Sequence, residues 1–242
     1  KRQGQALGIP ATVTVSGAAA YNNSYEASSV QAFAAAGDPS LLRVAQVDYV
    51  KPEQMQSQEF GYRGKLSRTF TVDAAVYRND FQDFINTQVV LSPLYGEVGD
   101  GGLSVLAMAN GDFETWSSYT NSPAEISSWG VSIGAQTKIF GNFDLSANYT
   151  KSKLEFEQSL YPDFRTNWNT PEHKIKAQFG NTQLFENFGF NVAWRYWSEY
   201  LWQASFGDGM VPETHVIDAQ FNLTVPKWKS VIKVGATNLG GE

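Results

Sequence analysis

The stretch KPEQMQSQEFGYRGKLSRTFTVDAAVYRNDFQDFI, residues 51–85, reads as an extended segment, a tight turn and a second extended segment. In the first arm Phe60 and Tyr62 alternate with Glu59, Gly61, Arg63 and Lys65. In the second, Phe70, Val72, Ala74 and Val76 alternate with Thr71, Asp73, Ala75 and Tyr77. A period of two places each set on its own face of a strand. Alternation alone fits a soluble sandwich as well as a barrel, and length separates them. The second arm can run extended from Phe70 to about Ile85. Strands in globular proteins usually have about five or six residues, and a tilted membrane strand needs about ten.

The same pattern recurs outward from this hairpin. SSWGVSIGAQTKI sets Trp129, Val131, Ile133, Ala135 and Thr137 against Gly130, Ser132, Gly134, Gln136 and Lys138, and FDLSANYT follows after Phe140-Gly141-Asn142. HKIKAQF, FGFNVAWRYW, HVIDAQFNLTV and VIKVGATNL continue the series. The links between strands are short at 67–69, 140–142, 181–187 and 226–230, and long at 91–124, 155–171 and 203–213. Short turns on one rim and long loops on the other are the mark of a bacterial outer-membrane barrel, with the short turns periplasmic. Residues 1–50 lack a sustained period and read as a long, partly ordered loop. Within them ATVTVSG, residues 11–17, is a candidate short strand and SSVQAFAAAG a helical turn or two.

Composition agrees. Of the 242 residues 42% are hydrophobic, 14% aromatic and only 17% charged, against about 25% charged in soluble domains. Lipid is one place to put uncharged surface. A mean hydropathy of −0.31 is no objection, because a barrel shows lipid only every second strand residue. No run approaches the roughly eighteen apolar residues of a spanning helix, which leaves a closed barrel as the spanning option. The net charge of −6 and the lack of a basic stripe argue against nucleic acid. With no cysteine, disulfide scaffolds and thiolate sites are excluded. Lys1 is not followed by an apolar signal segment, so a mature chain or a piece of a longer one is expected.

Three motifs resemble the TonB-dependent outer-membrane receptors. The first is Lys51-Pro52-Glu53, then Glu59, then Gly61-Tyr62-Arg63-Gly64, with Phe84-Ile85 closing the following strand. The second is Gly235, Asn238 and Leu239 near the end, similar to the family's penultimate strand. The third is Asn169-Thr170-Pro171-Glu172-His173-Lys174, which resembles the entry to a late strand. The resemblance implies an all-β antiparallel transmembrane barrel, with about eight consecutive strands of a larger one of about 22, the final strand missing. It implies residues 1–50 as a long extracellular loop region and 51–242 as consecutive strands, with the plug domain and TonB box outside this chain. The implied function is outer-membrane uptake of a siderophore, cobalamin or oligosaccharide. The implied partners are outer-membrane lipid, the TonB complex through the absent N-terminal part, a small-molecule or glycan ligand, and a surface lipoprotein. A soluble carbohydrate-binding β-sandwich and a passive porin are the alternatives.

No catalytic constellation stands out, and no enzyme, cofactor or metal is expected. His173 and His215 each open a strand and read as structural polar residues; Glu97 and Asp100 lack EF-hand spacing. Tyr62, Trp129, Phe143, Tyr149, Phe188 and Trp194 fall on the proposed lipid face. The loop aromatics Tyr95, Trp116, Tyr119, Trp168 and Trp202, with Tyr161 and Phe206, are candidates either for stacking on a ligand or for packing within ordered loops. Arg63, Asp73, Lys138, Arg195 and Asp218 lie on the opposite face, where they are expected to line the lumen or meet a plug.

Overall fold

The computed structural model describes residues 8–10, 13–204 and 207–241. Eight strands form one sheet in which each lies beside its predecessor: β1 (Gln54–Lys65), β2 (Thr71–Gln82), β3 (Ile126–Ile139), β4 (Phe143–Glu155), β5 (His173–Phe185), β6 (Phe188–Trp197), β7 (Thr214–Val225) and β8 (Ser230–Ala236). From β3 to β8 each strand pairs antiparallel with the next. The order runs openly from β1 to β8 rather than closing on itself.

Register explains why the faces stay sorted. Opposite Lys138 stands Asp144, opposite Asn148 stands Lys176, and opposite Ala193 stands Asp218. On the other face Tyr149 meets Ile175, Val192 meets Phe179, and Phe221 meets both Phe190 and Val234. A one-residue slip would invert every strand. Among the described residues the apolar face is exposed: Phe60 is 75% exposed, and Val76, Ile133, Val192, Ile217, Phe221 and Ile232 are also exposed. The aromatics expected to face lipid all lie on this side.

The short links are tight for local reasons. Phe140 and Gly141 take φ of 47° and 89°, the paired left-handed conformations of a primed hairpin turn. Strand β5 runs on to Phe185, leaving only Glu186 and Asn187 as the turn, with a register shift between Phe188 and Phe190. That link is shorter than the 181–187 expected.

The second extended arm is also shorter than expected. It stops at Gln82 because Asp83 adopts φ of 53°, a left-handed conformation that Asp tolerates better than most residues. The chain then re-enters as a separate strand, Ile85–Pro93, which pairs with Phe113–Asn121 instead of prolonging β2. The link expected at 91–124 is therefore only partly loop, with strand to Pro93, a helix at Leu103–Ala109 and a strand at Phe113–Asn121. Leu103–Ala109 forms helix α2. Ser104, Ala107 and Met108 are buried at helical spacing.

These segments belong to a second compact unit, residues 1–55, 81–126 and 156–167. Helix α1 (Ala27–Ala36), longer than the turn or two expected, ends on Gly37 at φ 69°, whose N–H returns to the Phe33 carbonyl at 2.7 Å. It buries Ala27, Val30 and Phe33 with Tyr25, Leu91 and Met108. Val90, with no exposed surface, packs with Ala20 and Val47, and a fully buried valine contributes about 1.5–3 kcal/mol. The candidate strand at 11–17 begins at positions outside the described residues, and 13–17 are not strand.

Candidate ligand-binding site

On the polar face of the sheet, Arg63 pairs with Asp73 at 3.5 Å and Arg195 with Asp218 at 2.8 Å. Lys138 pairs with Asp144, a partner the sequence had not singled out, at 2.8 Å. Arg63 and Asp73 border a cavity of about 270 Å³ together with Gln136, Asn148, Lys176 and Gln178. Asp218 also accepts the Asn238 N–H at 3.1 Å, while Leu239 donates its N–H to the Ile217 carbonyl at 2.8 Å. Asn238 takes φ of 54°, which explains an Asn at that point of the motif.

His173 and His215 are each engaged by neighbouring rings. His173 Nδ1 lies 2.8 Å from the Tyr149 hydroxyl, and His215 Nδ1 accepts the Trp194 Nε1–H at 3.3 Å within a stack that includes Tyr196. On the same apolar face Lys151 sits 5.2 Å over the Trp129 ring and pairs with Glu172 at 3.1 Å.

The five loop aromatics do not share one role. Trp116 packs against the Ala20, Val47 and Val90 cluster, with its buried Nε1 lacking a hydrogen-bond partner. The Tyr95 hydroxyl donates to Asp112 at 3.0 Å and accepts from Asn110 at 3.2 Å. Burial first, and the Asp112 carboxylate after it, push that phenol above its ordinary value. Both residues therefore pack within the fold. Tyr119, in the same unit, is 62% exposed. In the unit that carries the sheet, Trp168 is half-buried with its Nε1 unpartnered, and Trp202 is 44% exposed on the hairpin strand Tyr200–Ala204. That hairpin is tied down by Asn169, whose side chain exchanges two hydrogen bonds with the Gln203 backbone at 2.7 and 2.9 Å. Phe206 lies outside the described residues.

A cavity of about 590 Å³ within the second unit is one the sequence did not indicate. It is bordered by Gln46, Asp48, Lys51, Asp83, Gln88 and Phe164, among others. Gln88 sits in Ile85–Pro93 opposite Ser118 and Phe164. The only sequence signal was a long amide within the run Thr87-Gln88-Val89-Val90-Leu91. Arg43 borders the cavity too, but it is engaged by Glu26 at 2.6 Å, and that hydrogen bond holds its guanidinium above its ordinary value. Among the described residues no group of three or more His, Cys, Asp or Glu is placed to hold a metal.

An open antiparallel sheet with one charged and one uncovered apolar face, and connections sorted by length, is part of an outer-membrane β-barrel. The comparisons narrow that class. The family model described as TonB dependent receptor-like, beta-barrel matches residues 12–239, and the chain belongs to that family. No match was found among curated proteins. Among solved structures, the copper transporter OprC matches with a TM-score of 0.56 at 16% identity, over 81% of this chain and 26% of that one. The siderophore receptor PirA from Acinetobacter baumannii matches at 0.51 and 14%, over 79% of this chain and 28% of its own. The FrpB iron transporter from Neisseria meningitidis (F3-3 variant) matches at 0.54 and 13%, over 81% and 27%. At these identities the likeness is one of fold. The chain spans about a quarter of the length of these proteins and is a fragment of such a barrel.

Proposed function

We propose that this chain is the C-terminal barrel portion of a receptor in a bacterial outer membrane, one that imports a scarce ligand with energy delivered through TonB. The observation that carries this reading is the two-faced sheet. Its uncovered apolar side suits lipid, and its opposite side holds Arg63, Asp73, Lys138, Arg195 and Asp218, which charge favours only in a wet or protein-filled lumen. In that setting the long connections are extracellular and capture ligand, and the short turns are periplasmic. The ion-paired lumen residues meet the plug of the complete protein. The matching structures are named for copper, iron and siderophore transport, and the ligand classes this reading admits are siderophore, cobalamin and oligosaccharide. The role is transport without catalysis, and a surface lipoprotein is a fitting accessory on the extracellular side.

The test is an antibody against this segment, used on outer membranes of the source cell with boiled and unboiled samples compared on a gel. A band several times heavier than 26.8 kDa that shifts on boiling is the expected result. Uptake that persists after TonB is deleted, together with steady conductance of the purified protein, would turn the reading to a passive porin.

A further inference from the structure

The 590 Å³ cavity falls within the range of about 300–1,000 Å³ typical of small-molecule sites. One of its walls holds an unmet polar group. Gln88 is only 3% exposed, and its Oε1 is buried with no hydrogen-bond partner. A buried acceptor left unsatisfied is costly, so something that donates a hydrogen bond is expected there. Around it stand side chains with no partner among the described residues: the carboxylates of Asp48 and Asp83, the amide of Gln46 and the ammonium of Lys51. The carboxylate of Glu26 and the guanidinium of Arg43 engage each other.

We infer that this cavity binds a neutral, polyhydroxylated ligand, an oligosaccharide. Carboxylate and amide oxygens accept from hydroxyl groups, and a lysine donates to their oxygens. Phe164, paired in register with Gln88, adds an apolar border of the kind that specific pockets combine with a few placed polar groups. Two carboxylates against one ammonium, none with a partner among the described residues, disfavour an anionic ligand, because like charges in a recess repel. The inference rests on the reading of this chain as part of an uptake receptor, and it selects among that reading's ligand classes.

The experiment uses the full-length receptor purified in detergent, with calorimetric titration of maltohexaose, cellohexaose, xylohexaose and laminarihexaose, and ferric 2,3-dihydroxybenzoate as the anionic comparison. Saturable binding of at least one hexasaccharide is expected. Gln88→Leu should weaken it at least tenfold. Asp48→Ala, at an exposed position that does not risk the fold, should do the same. Both variants should keep the gel shift on boiling. Absence of hexasaccharide binding, or binding that neither substitution changes, overturns the assignment. Binding of the ferric complex alone would remove the oligosaccharide class and leave the receptor reading intact. Sugar binding with uptake independent of TonB would keep the cavity's assignment and overturn energised transport.

Discussion

Tyrosine rings occupy the space over two glycines of the sheet. A Cβ at Gly64 would stand within 3 Å of the Tyr62 ring, and one at Gly130 would meet the ring of Tyr77. Aromatic cover of strand glycines is a known device for holding register. It gives the Gly61-Tyr62-Arg63-Gly64 motif a physical reason: the tyrosine lies back over the second glycine. At Gly130 the covering ring also holds Ser152 through its hydroxyl at 2.9 Å. Gly130→Val is expected to force that ring out and cost about 1–3 kcal/mol, read as a lower urea midpoint for the refolded full-length barrel. A second residue-scale expectation concerns Asp218, which serves both Arg195 and the Asn238 N–H. Asp218→Ala removes both contacts and should cost about 0.5–1.5 kcal/mol in the same measurement. Asp218→Asn, which keeps acceptor capacity, should cost less.

Strands and helices carry their own expectations. Ile133 lies mid-strand on the apolar face and Gln136 on the polar one. Ile133→Lys should destabilise the bilayer-embedded barrel by about 2–4 kcal/mol, whereas Gln136→Lys should change little. Equal costs from both would mean that the apolar face does not meet lipid. At the start of α2, Asp100 accepts from the N–H groups of Gly102 and Ser104, from the Ser104 hydroxyl, and from the Glu97 N–H. The Ser104 hydroxyl first, then the Gly102 N–H, lower its carboxyl below the ordinary 3.8. A carboxyl depressed by folding stabilises above its unfolded value and loses that contribution as pH falls through the folded one. Protection of the Gly102 and Ser104 amides, measured against their intrinsic exchange at each pH, should therefore hold at pH 5 and fall as pH drops below 3.8. Asp100→Asn should abolish that pH dependence. How legible such elements were depended on their period. Alternation located all eight strands, whereas α2 was hidden because LSVLAMA is apolar in any register, and its helical start depends on a carboxylate three residues before it.

At the scale of the molecule, both outer strands of the sheet, β1 and β8, are exposed and, among the described residues, each has a neighbour on one side only. Long exposed edges pair with other chains unless the barrel that completes them is present. Residues 51–242 produced alone are expected to aggregate and to show no boil-dependent gel shift, while the full-length protein shows one. A monomeric, soluble product from that segment would favour a self-contained sandwich. What the sequence determined by itself is everything that depends on neighbours a few positions away: strand periods, the two faces, tight turns, the sorting of links and the motifs that place the chain in its family. What only the tertiary structure decided depends on contacts between distant segments. Asp83 turns the chain out of the sheet. Trp116 is spent on a core formed by Ala20, Val47 and Val90. Three segments far apart in sequence fold into one unit, leaving Gln88, Asp48 and Asp83 around a single cavity. No local pattern encodes that assembly, because the residues that build it lie on connections whose course is set by what they bury.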